Sequence, residues 1–177
     1  PIGKKVFGLS EYVKFVLLLA TLTYPKFPEL VIVKLKPHPE VFGLAALMLF
    51  HEARREARCS AVNSYIPLEA QDRSLWDQAQ IKQAQQFMQQ ALGFKQTGPY
   101  QIQGAISALH SAAEGWDTTD WRQIVLLYRK LLTLHASPVI ALNLAMAKAN
   151  DGQITHAYSE VLELSGLLID YQPYYAA

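Results

Sequence analysis

The sequence contains a single cysteine, Cys59, and so cannot form an internal disulfide bond. This excludes a small secreted domain held together by disulfides. One thiol fits a reducing compartment, so we expect a cytoplasmic protein. An excess of charge of one sign is also missing, because 16 Lys and Arg residues stand against 15 Asp and Glu residues. A nearly neutral chain does not have the strongly basic composition of a nucleic-acid-binding domain.

The sequence also lacks a long hydrophobic run and an initiating methionine. The longest apolar run, residues 15–22 (FVLLLATL), is far shorter than the roughly 20 residues that a helix needs to span a bilayer. No small-residue cleavage site of a signal peptide follows this run. Because the first residue is Pro1, we expect a fragment of a longer protein or a processed chain.

The apolar content is sufficient for a folded domain. Hydrophobic residues make up 51% of the 177 residues, which is typical of globular proteins and not of disordered chains. The N-terminal part is the least readable: residues 12–22 suit a short helix, and residues 29–36 (ELVIVKLK) alternate like a strand. We therefore divide the chain into a poorly readable segment, 1–38, and a helical domain, 39–177.

The stretch 39–77 organises the rest of the chain. Its first half is apolar on all sides, which predicts a buried central helix. The composition changes from apolar to charged within one turn, because residues 51–58 (HEARREAR) place charge on nearly every face. A polar loop follows. Asp72 or Ser74 then caps the next helix, which we expect to end near Leu92.

Short turns separate the remaining helices. Gly98-Pro99 precedes one helix, one of residues 117–119 (DTT) caps the next, and Ser137-Pro138 begins a third, with Ser137 as the cap. Six or seven helices are expected in all. The helices that follow the second one are expected to extend from Tyr100 to Ala113, Trp121 to His135, Val139 to Asn150 and Ile154 to Leu167.

The last two helices have the spacing of a tetratricopeptide helix hairpin. Ala145 and Ala157 are small enough for paired helices to approach closely, and Gly152 suits the tight turn between them. The earlier pairs match this pattern loosely. Because short loops between successive helices make antiparallel neighbours, the predicted fold is all-α: an antiparallel helix-pair stack, tetratricopeptide-like and of α-solenoid type.

The sequence shows no arrangement that is typical of a catalytic or metal site. His51-Glu52 begins like a zinc metalloprotease motif, but Arg55 stands where the second histidine would be. The five histidines show no ligand spacing, and neither a glycine-rich phosphate loop nor a nucleophile elbow is present. We therefore expect no enzymatic activity, no metal and no cofactor.

Polar residues on both sides of the loop before Trp76 are better candidates for function. In one interpretation, Arg54, Arg55, Arg73 and Trp76 form a cationic and aromatic patch that binds an acidic or aromatic segment of a partner. In the other, Trp76 is buried, and helix caps and ion pairs fix the loop, with Arg54 or Arg55 joined to Asp72 or Asp77.

Three further candidates begin the helix after Gly98-Pro99. Tyr100, Gln101 and Gln103 either line a groove for a partner, or they have structural roles in which Tyr100 packs and the glutamines are solvated. The sequence does not decide between these interpretations.

Six blocks of the sequence form a recognisable series. They are PEVFGLAALML (39–49), HEARR (51–55), LEAQDRSLWD (68–77), GPYQIQGAI (98–106), TDW (119–121) and SPVIALN (137–143). In order and spacing they resemble the C-terminal extension of bacterial extracytoplasmic-function (ECF) sigma factors that carry a tetratricopeptide-like domain. The resemblance covers residues 39 to about 171.

This resemblance implies a regulatory and protein-interaction domain of a sigma factor, the protein that directs RNA polymerase to promoters. The implied partners are the sigma domains of the same polypeptide, RNA polymerase or a regulatory protein, without DNA binding by this region and without a membrane. The family's promoter-reading and polymerase-binding domains precede the matching region, and nothing in this chain resembles them. The alternative is a free-standing helical-repeat scaffold or peptide-binding protein unrelated to transcription.

Overall fold

A computed structural model describes residues 37–58, 65–169 and 171. These residues form six α-helices: α1 (Pro39–Glu52), α2 (Gln78–Gly93), α3 (Pro99–Ala112), α4 (Trp121–Leu134), α5 (Pro138–Asn150) and α6 (Ile154–Glu163). Between α1 and α2 lie three single-turn 3₁₀ helices, at Glu56–Arg58, Leu68–Ala70 and Arg73–Leu75.

The helices form a stack with α3 at its centre. α1 packs against α2 and α3, α3 also contacts α4, and α5 lies between α4 and α6. One apolar cluster joins α1 to α2 around Phe50 and Trp76, and a second joins α3, α4 and α5 around Ile102 and Ile124. The prediction of an all-α helical stack is confirmed for the described residues.

The central helix that the sequence predicts is α1. Pro39 occupies its first turn, where the missing N–H is no loss, and His38 Nδ1 accepts a hydrogen bond from the N–H of Glu40 at 3.2 Å. Nine of its residues are buried, and they lie on all sides of the helix. The helix ends at Glu52, and of the charged residues that follow, Arg55 and Glu56 are exposed whereas Arg54 is buried.

Two glycines set the distance between α1 and α3. A Cβ atom at Gly43 would lie 2.7 Å from the backbone N of Gln101 on α3, and one at Gly104 would lie 3.3 Å from Gly43 O on α1 and 2.7 Å from Met88 Sδ on α2. A contact of 2.7 Å is shorter than a carbon atom tolerates, and one of 3.3 Å is tighter than most. The two helices can therefore approach this closely only because neither glycine has a side chain.

α2 begins later than predicted. Asp72 accepts the N–H of Ser74 at 2.9 Å but caps only the 3₁₀ turn Arg73–Leu75. The N–H of Asp77 donates a hydrogen bond to Ala53 O at 2.9 Å. This bond holds the chain against the end of α1 up to Asp77, so α2 begins only after it. The carboxylate of Asp77 then accepts two amide hydrogen bonds from the first turn of α2. The prediction that Asp72 or Ser74 caps this helix is wrong.

Two other predicted caps also differ. α4 is capped by Asp120 and not by one of residues 117–119, because Asp120 Oδ1 accepts a first-turn amide at 2.9 Å. The Thr119 hydroxyl instead donates a hydrogen bond to Gly115 O in the preceding turn. Ser137 stands at the start of α5 but its side chain makes no capping hydrogen bond, whereas Pro138 occupies the first turn as predicted.

α5 and α6 form the predicted helix hairpin. Ala145 and Ala157 are buried, and Gly152 turns the chain with φ of 85°, a left-handed conformation that favours glycine. α6 ends at Glu163 and not near Leu167, because the residues after it continue as separate turns.

Some predictions lie outside the described residues. These are the helix at 12–22, the strand at 29–36 and the environment of Cys59. None of the described helices is long and apolar enough to cross a membrane.

We expect Gly43→Ala to lower the free energy of unfolding by about 1–3 kcal/mol, because the added methyl group collides with the backbone of Gln101. Gly93→Ala is the control, since nothing lies within 4 Å of a Cβ atom there. Alanine is the better helix former, so the control should be neutral or stabilising by up to about 1 kcal/mol. Urea unfolding followed by circular dichroism measures both, and equal effects would contradict a close helix crossing.

Candidate interaction site

A carboxylate from α1 holds the first end of α3. Glu40 accepts the N–H groups of Tyr100 at 2.8 Å and Gln101 at 3.1 Å. First-turn amides have no partner within their own helix, and a negative charge there also interacts favourably with the helix dipole. Gly98 leaves room for the carboxylate, because a Cβ atom at this position would lie 2.2 Å from Glu40 Cδ.

Three of the predicted site residues lie at this end of α3. Gln101 is buried, and its side-chain nitrogen donates to Glu40 Oε1 and to a neighbouring backbone carbonyl. The side chain of Gln103 donates to Pro99 O at 3.2 Å. Tyr100 is partly buried, and this burial, with a smaller effect of Glu40, raises the pKa of its hydroxyl above the ordinary value. Gln101 is thus an internal anchor, while Tyr100 and Gln103 remain partly exposed.

A guanidinium group holds the other end of α3. Arg73 Nη1 donates to His110 O and to Ala113 O, the latter at 2.9 Å. The last carbonyls of a helix lack internal partners, and a cation there complements the negative end of the helix dipole. The two ends of α3 are therefore bound by side chains of opposite charge, Glu40 and Arg73.

Four residues at the second end form what we call the arginine–tryptophan cluster: Arg54, Arg73, Trp76 and His110. The Trp76 ring centre lies 4.5 Å from Arg73 Cζ and 5.8 Å from Arg54 Cζ. Trp76 is 4% exposed and Arg54 8% exposed, with Arg54 Nε donating to Phe50 O at 3.2 Å. Cation–aromatic contacts at desolvated sites contribute about 2 kcal/mol. The cluster thus joins the end of α1 to the end of α3.

Within the described part of the chain, no carboxylate neutralises the arginines of this cluster. Burial, followed by the charge of Arg58, lowers the pKa of Arg54, and burial lowers the pKa of Arg73. The described ion pairs lie elsewhere: Arg55 pairs with Glu52 on α1, and Lys148 on α5 pairs with Glu160 on α6. The cluster is therefore a region of positive potential.

The loop aspartates act as caps. Hydrogen bonds from Ser74 lower the pKa of Asp72, and hydrogen bonds from the first turn of α2 lower that of Asp77. Trp76 is buried, as the structural interpretation expects, but neither aspartate forms an ion pair among the described residues. Arg55 is the exposed member of the predicted patch, with 58% of its side chain accessible. Whether these residues bind a partner stays a prediction.

His110 extends the cluster into a row of aromatic rings. Its ring lies 6.1 Å from Trp116, nearly parallel at 15°, and 5.3 Å from Trp121, edge to face. Trp116 Nε1 donates to Asn150 Oδ1 at 3.0 Å, which connects the row to the end of α5. Burial, and then the charges of the two cluster arginines, lower the pKa of His110 to about 4. The imidazole is therefore neutral near pH 7.

Chemically, the cluster combines positive charge with largely buried aromatic rings. Arg73 Nη2, Trp76 Nε1 and His110 Nδ1 are buried and have no hydrogen-bond partner among the residues that the structure describes. Each such group lowers the free energy of unfolding by about 1–3 kcal/mol. Packing and cation–aromatic contacts must offset this loss. Among the described residues, no group of three or more His, Cys, Asp or Glu side chains could hold a metal ion.

The sequence did not single out Glu40 or His110. An acidic residue directly after Pro39 is typical of the first turn of the helix that contains it. The role of Glu40 in capping a different helix, α3, is therefore visible only in the folded structure. One signal was available: Gly98-Pro99 begins a helix without a capping side chain, and such a helix needs a partner from elsewhere. The lone His110 gave no comparable signal.

Glu40→Gln should lower the free energy of unfolding by about 1 kcal/mol, because it removes the charge at the start of α3 and keeps the side-chain shape. The loss should shrink at high salt. Glu69→Gln, at an exposed acid on a 3₁₀ turn, is the control and should change stability by less than about 0.5 kcal/mol. Urea unfolding at two salt concentrations tests this, and matching values for the two variants would contradict a cap by Glu40.

The stability of the protein should depend on pH through His110. The unfolded side chain binds a proton near pH 6.5 and the folded one only near pH 4. His110 therefore costs no stability above about pH 6.5 and lowers stability as the pH approaches 4, by up to about 3 kcal/mol; His51, whose pKa burial also lowers to about 4, adds to this fall. His110→Phe keeps a ring in the row but cannot titrate, so its stability should fall less over this interval. Parallel pH profiles of the two proteins would contradict the lowered pKa.

Comparison with known proteins gives two similarities. A model of a family of unknown function (DUF6596) matches residues 27–92, which includes α1, the 3₁₀ turns and almost all of α2. An uncharacterized protein of Rhizobium meliloti (strain 1021) is 46% identical over 109 residues, which are 62% of this chain and 26% of that protein. The chain thus spans about a quarter of the length of this relative. No solved structure matches the chain.

Proposed function

We propose that this chain is the C-terminal regulatory and interaction domain of an ECF-type RNA polymerase sigma factor, acting in the bacterial cytoplasm. The domain binds proteins and carries out no catalysis. Its partners are the sigma domains of the same polypeptide, RNA polymerase or a regulatory protein. Promoter reading belongs to other domains of the whole protein.

The observation that carries this proposal is that the sequence blocks of the sigma-factor resemblance meet in space. Glu40, in the first block, binds the first-turn amides of Tyr100 and Gln101, in the fourth. Gly43, also in the first block, makes room for Gln101. Arg73, in the third block, binds the far end of the helix that the fourth block begins. The resemblance therefore describes one folded unit, which supports a shared domain.

The length of the similar protein agrees with this proposal. Its matching part is about a quarter of the whole, as expected for one domain of a multidomain protein. The nearly neutral charge of the chain also favours protein contacts over DNA contacts, because DNA binding depends on many basic residues that neutralise phosphates.

Transcription with purified components tests the proposal. The full-length natural protein that contains this domain should direct core RNA polymerase to a specific promoter in a run-off assay. A version that ends before Pro39 should start transcription at the same promoter but at a changed level, because promoter reading lies outside the domain. The 177-residue chain alone should give no sequence-specific shift of promoter DNA at physiological salt.

Two results would overturn the proposal. One is a full-length protein that neither binds core RNA polymerase nor directs initiation. The other is specific promoter binding by the 177-residue chain alone. A full-length protein that binds peptides or other proteins but not the polymerase would favour the helical-repeat scaffold instead.

A further inference from the structure

The outer face of α4 carries positive charge and no acid. Its sequence, WRQIVLLYRKLLTL, contains two arginines and one lysine but neither Asp nor Glu. The buried residues of this helix, Ile124, Val125 and Leu131, belong to the second apolar cluster. The opposite side is solvent-exposed and includes all three cations: Arg122, Arg129 and Lys130.

Two exposed leucines share this side of the helix. Leu126 is 51% exposed and Leu134 is 42% exposed. At about 100° per residue, the two leucines and three cations fall within an arc of about 140°, directly opposite the buried residues. We call this surface the α4 face: Arg122, Leu126, Arg129, Lys130 and Leu134.

Within the described part of the chain, the cations of the α4 face have no acidic partner. The described ion pairs join Arg55 to Glu52 and Lys148 to Glu160. Asp120, just before the helix, is engaged as its cap. The α4 face therefore combines charge that no described carboxylate neutralises with apolar area that the fold leaves exposed.

The exposed faces of other helices differ in composition. α2 exposes mainly glutamines, and Lys82 is its single cation. α6 exposes Ile154, Tyr158 and Leu162, and it contains no lysine or arginine. Of these three helices, only α4 combines several cations with exposed leucines.

We propose that the α4 face binds an acidic amphipathic helix of a partner protein. Arginine guanidinium groups fit carboxylates through paired hydrogen bonds, and an apolar stripe on the partner would cover the two leucines. From Arg122 to Leu134 the helix rises about 18 Å, so a partner helix of three to four turns spans the face. This inference holds with or without the sigma-factor assignment.

The observations favour an acidic protein segment over nucleic acid or a membrane. Phosphate groups would neutralise the three cations but would leave both leucines uncovered, and the whole chain carries a net charge of only +1. Membrane-surface helices bury a broad apolar face in the lipid. The broad apolar face of α4 is already occupied by its own protein core.

Fluorescence anisotropy with a designed peptide tests the proposal. The probe is a labelled helical peptide with one leucine face flanked by glutamates, and the control peptide has glutamine in place of every glutamate. The 177-residue chain should bind the acidic peptide, and binding should weaken with added salt. A labelled single-stranded oligonucleotide and vesicles that contain phosphatidylserine are the competing ligands.

Matched variants locate the binding surface. Arg122→Glu/Arg129→Glu/Lys130→Glu should weaken acidic-peptide binding at least about tenfold, since three exposed charge pairs are reversed. Lys82→Glu, at the exposed cation of α2, should leave binding unchanged. Leu126→Gln should weaken binding several-fold, while Leu92→Gln, at a leucine that is 63% exposed on α2, should not. Circular dichroism confirms that each variant remains folded.

Each outcome decides for or against the proposal. Peptide binding that the α4 variants weaken and the α2 variants do not would support it. No peptide binding, equal binding of the acidic and glutamine peptides, or equal losses in the α2 variants would overturn it. Tighter binding of the oligonucleotide or the vesicles, lost in the triple variant, would assign the face to that ligand and also overturn it.

Discussion

The fold depends on how α3 is held at its two ends. A carboxylate from α1, Glu40, binds the amides at its start, and a guanidinium from the segment before α2, Arg73, binds the carbonyls at its end. Each charge has the sign that the helix dipole favours at that end, and each satisfies backbone groups that a helix cannot satisfy by itself. Two distant parts of the chain are thereby fixed to the same central helix.

This arrangement links the two apolar clusters. α3 packs against α1 across the glycine contact of Gly43 and Gly104, and it also supplies Ile102 and Ile106 to the cluster shared with α4 and α5. The aromatic row that begins at His110 continues the connection to the end of α5. With α3 in place, the outer surface of α4 faces away from both clusters and remains available for a partner.

The sequence predicted those features that depend on residues close to one another along the chain. The apolar helix α1 and the turn at Gly152 follow from residue periodicity and backbone preference, and the structure describes both. Which aspartate caps α2 did not follow, because the choice depends on the hydrogen bond between Asp77 and Ala53, which are far apart in sequence. Glu40 was missed for the same reason, since its partners lie sixty residues further along the chain.

Hydrogen exchange of the first-turn amides of α3 tests this account most directly. α3 and α5 begin alike, with Gly98-Pro99 and Ser137-Pro138, and neither has a side-chain cap at its own N-cap residue. Only α3 receives a carboxylate from another helix among the described residues. The account predicts that the amides of Tyr100 and Gln101 exchange much more slowly than those of Val139 and Ile140, and that Glu40→Ala, which removes both acceptor oxygens, removes the difference. Equally fast exchange at both helix starts in the unmodified protein would contradict it.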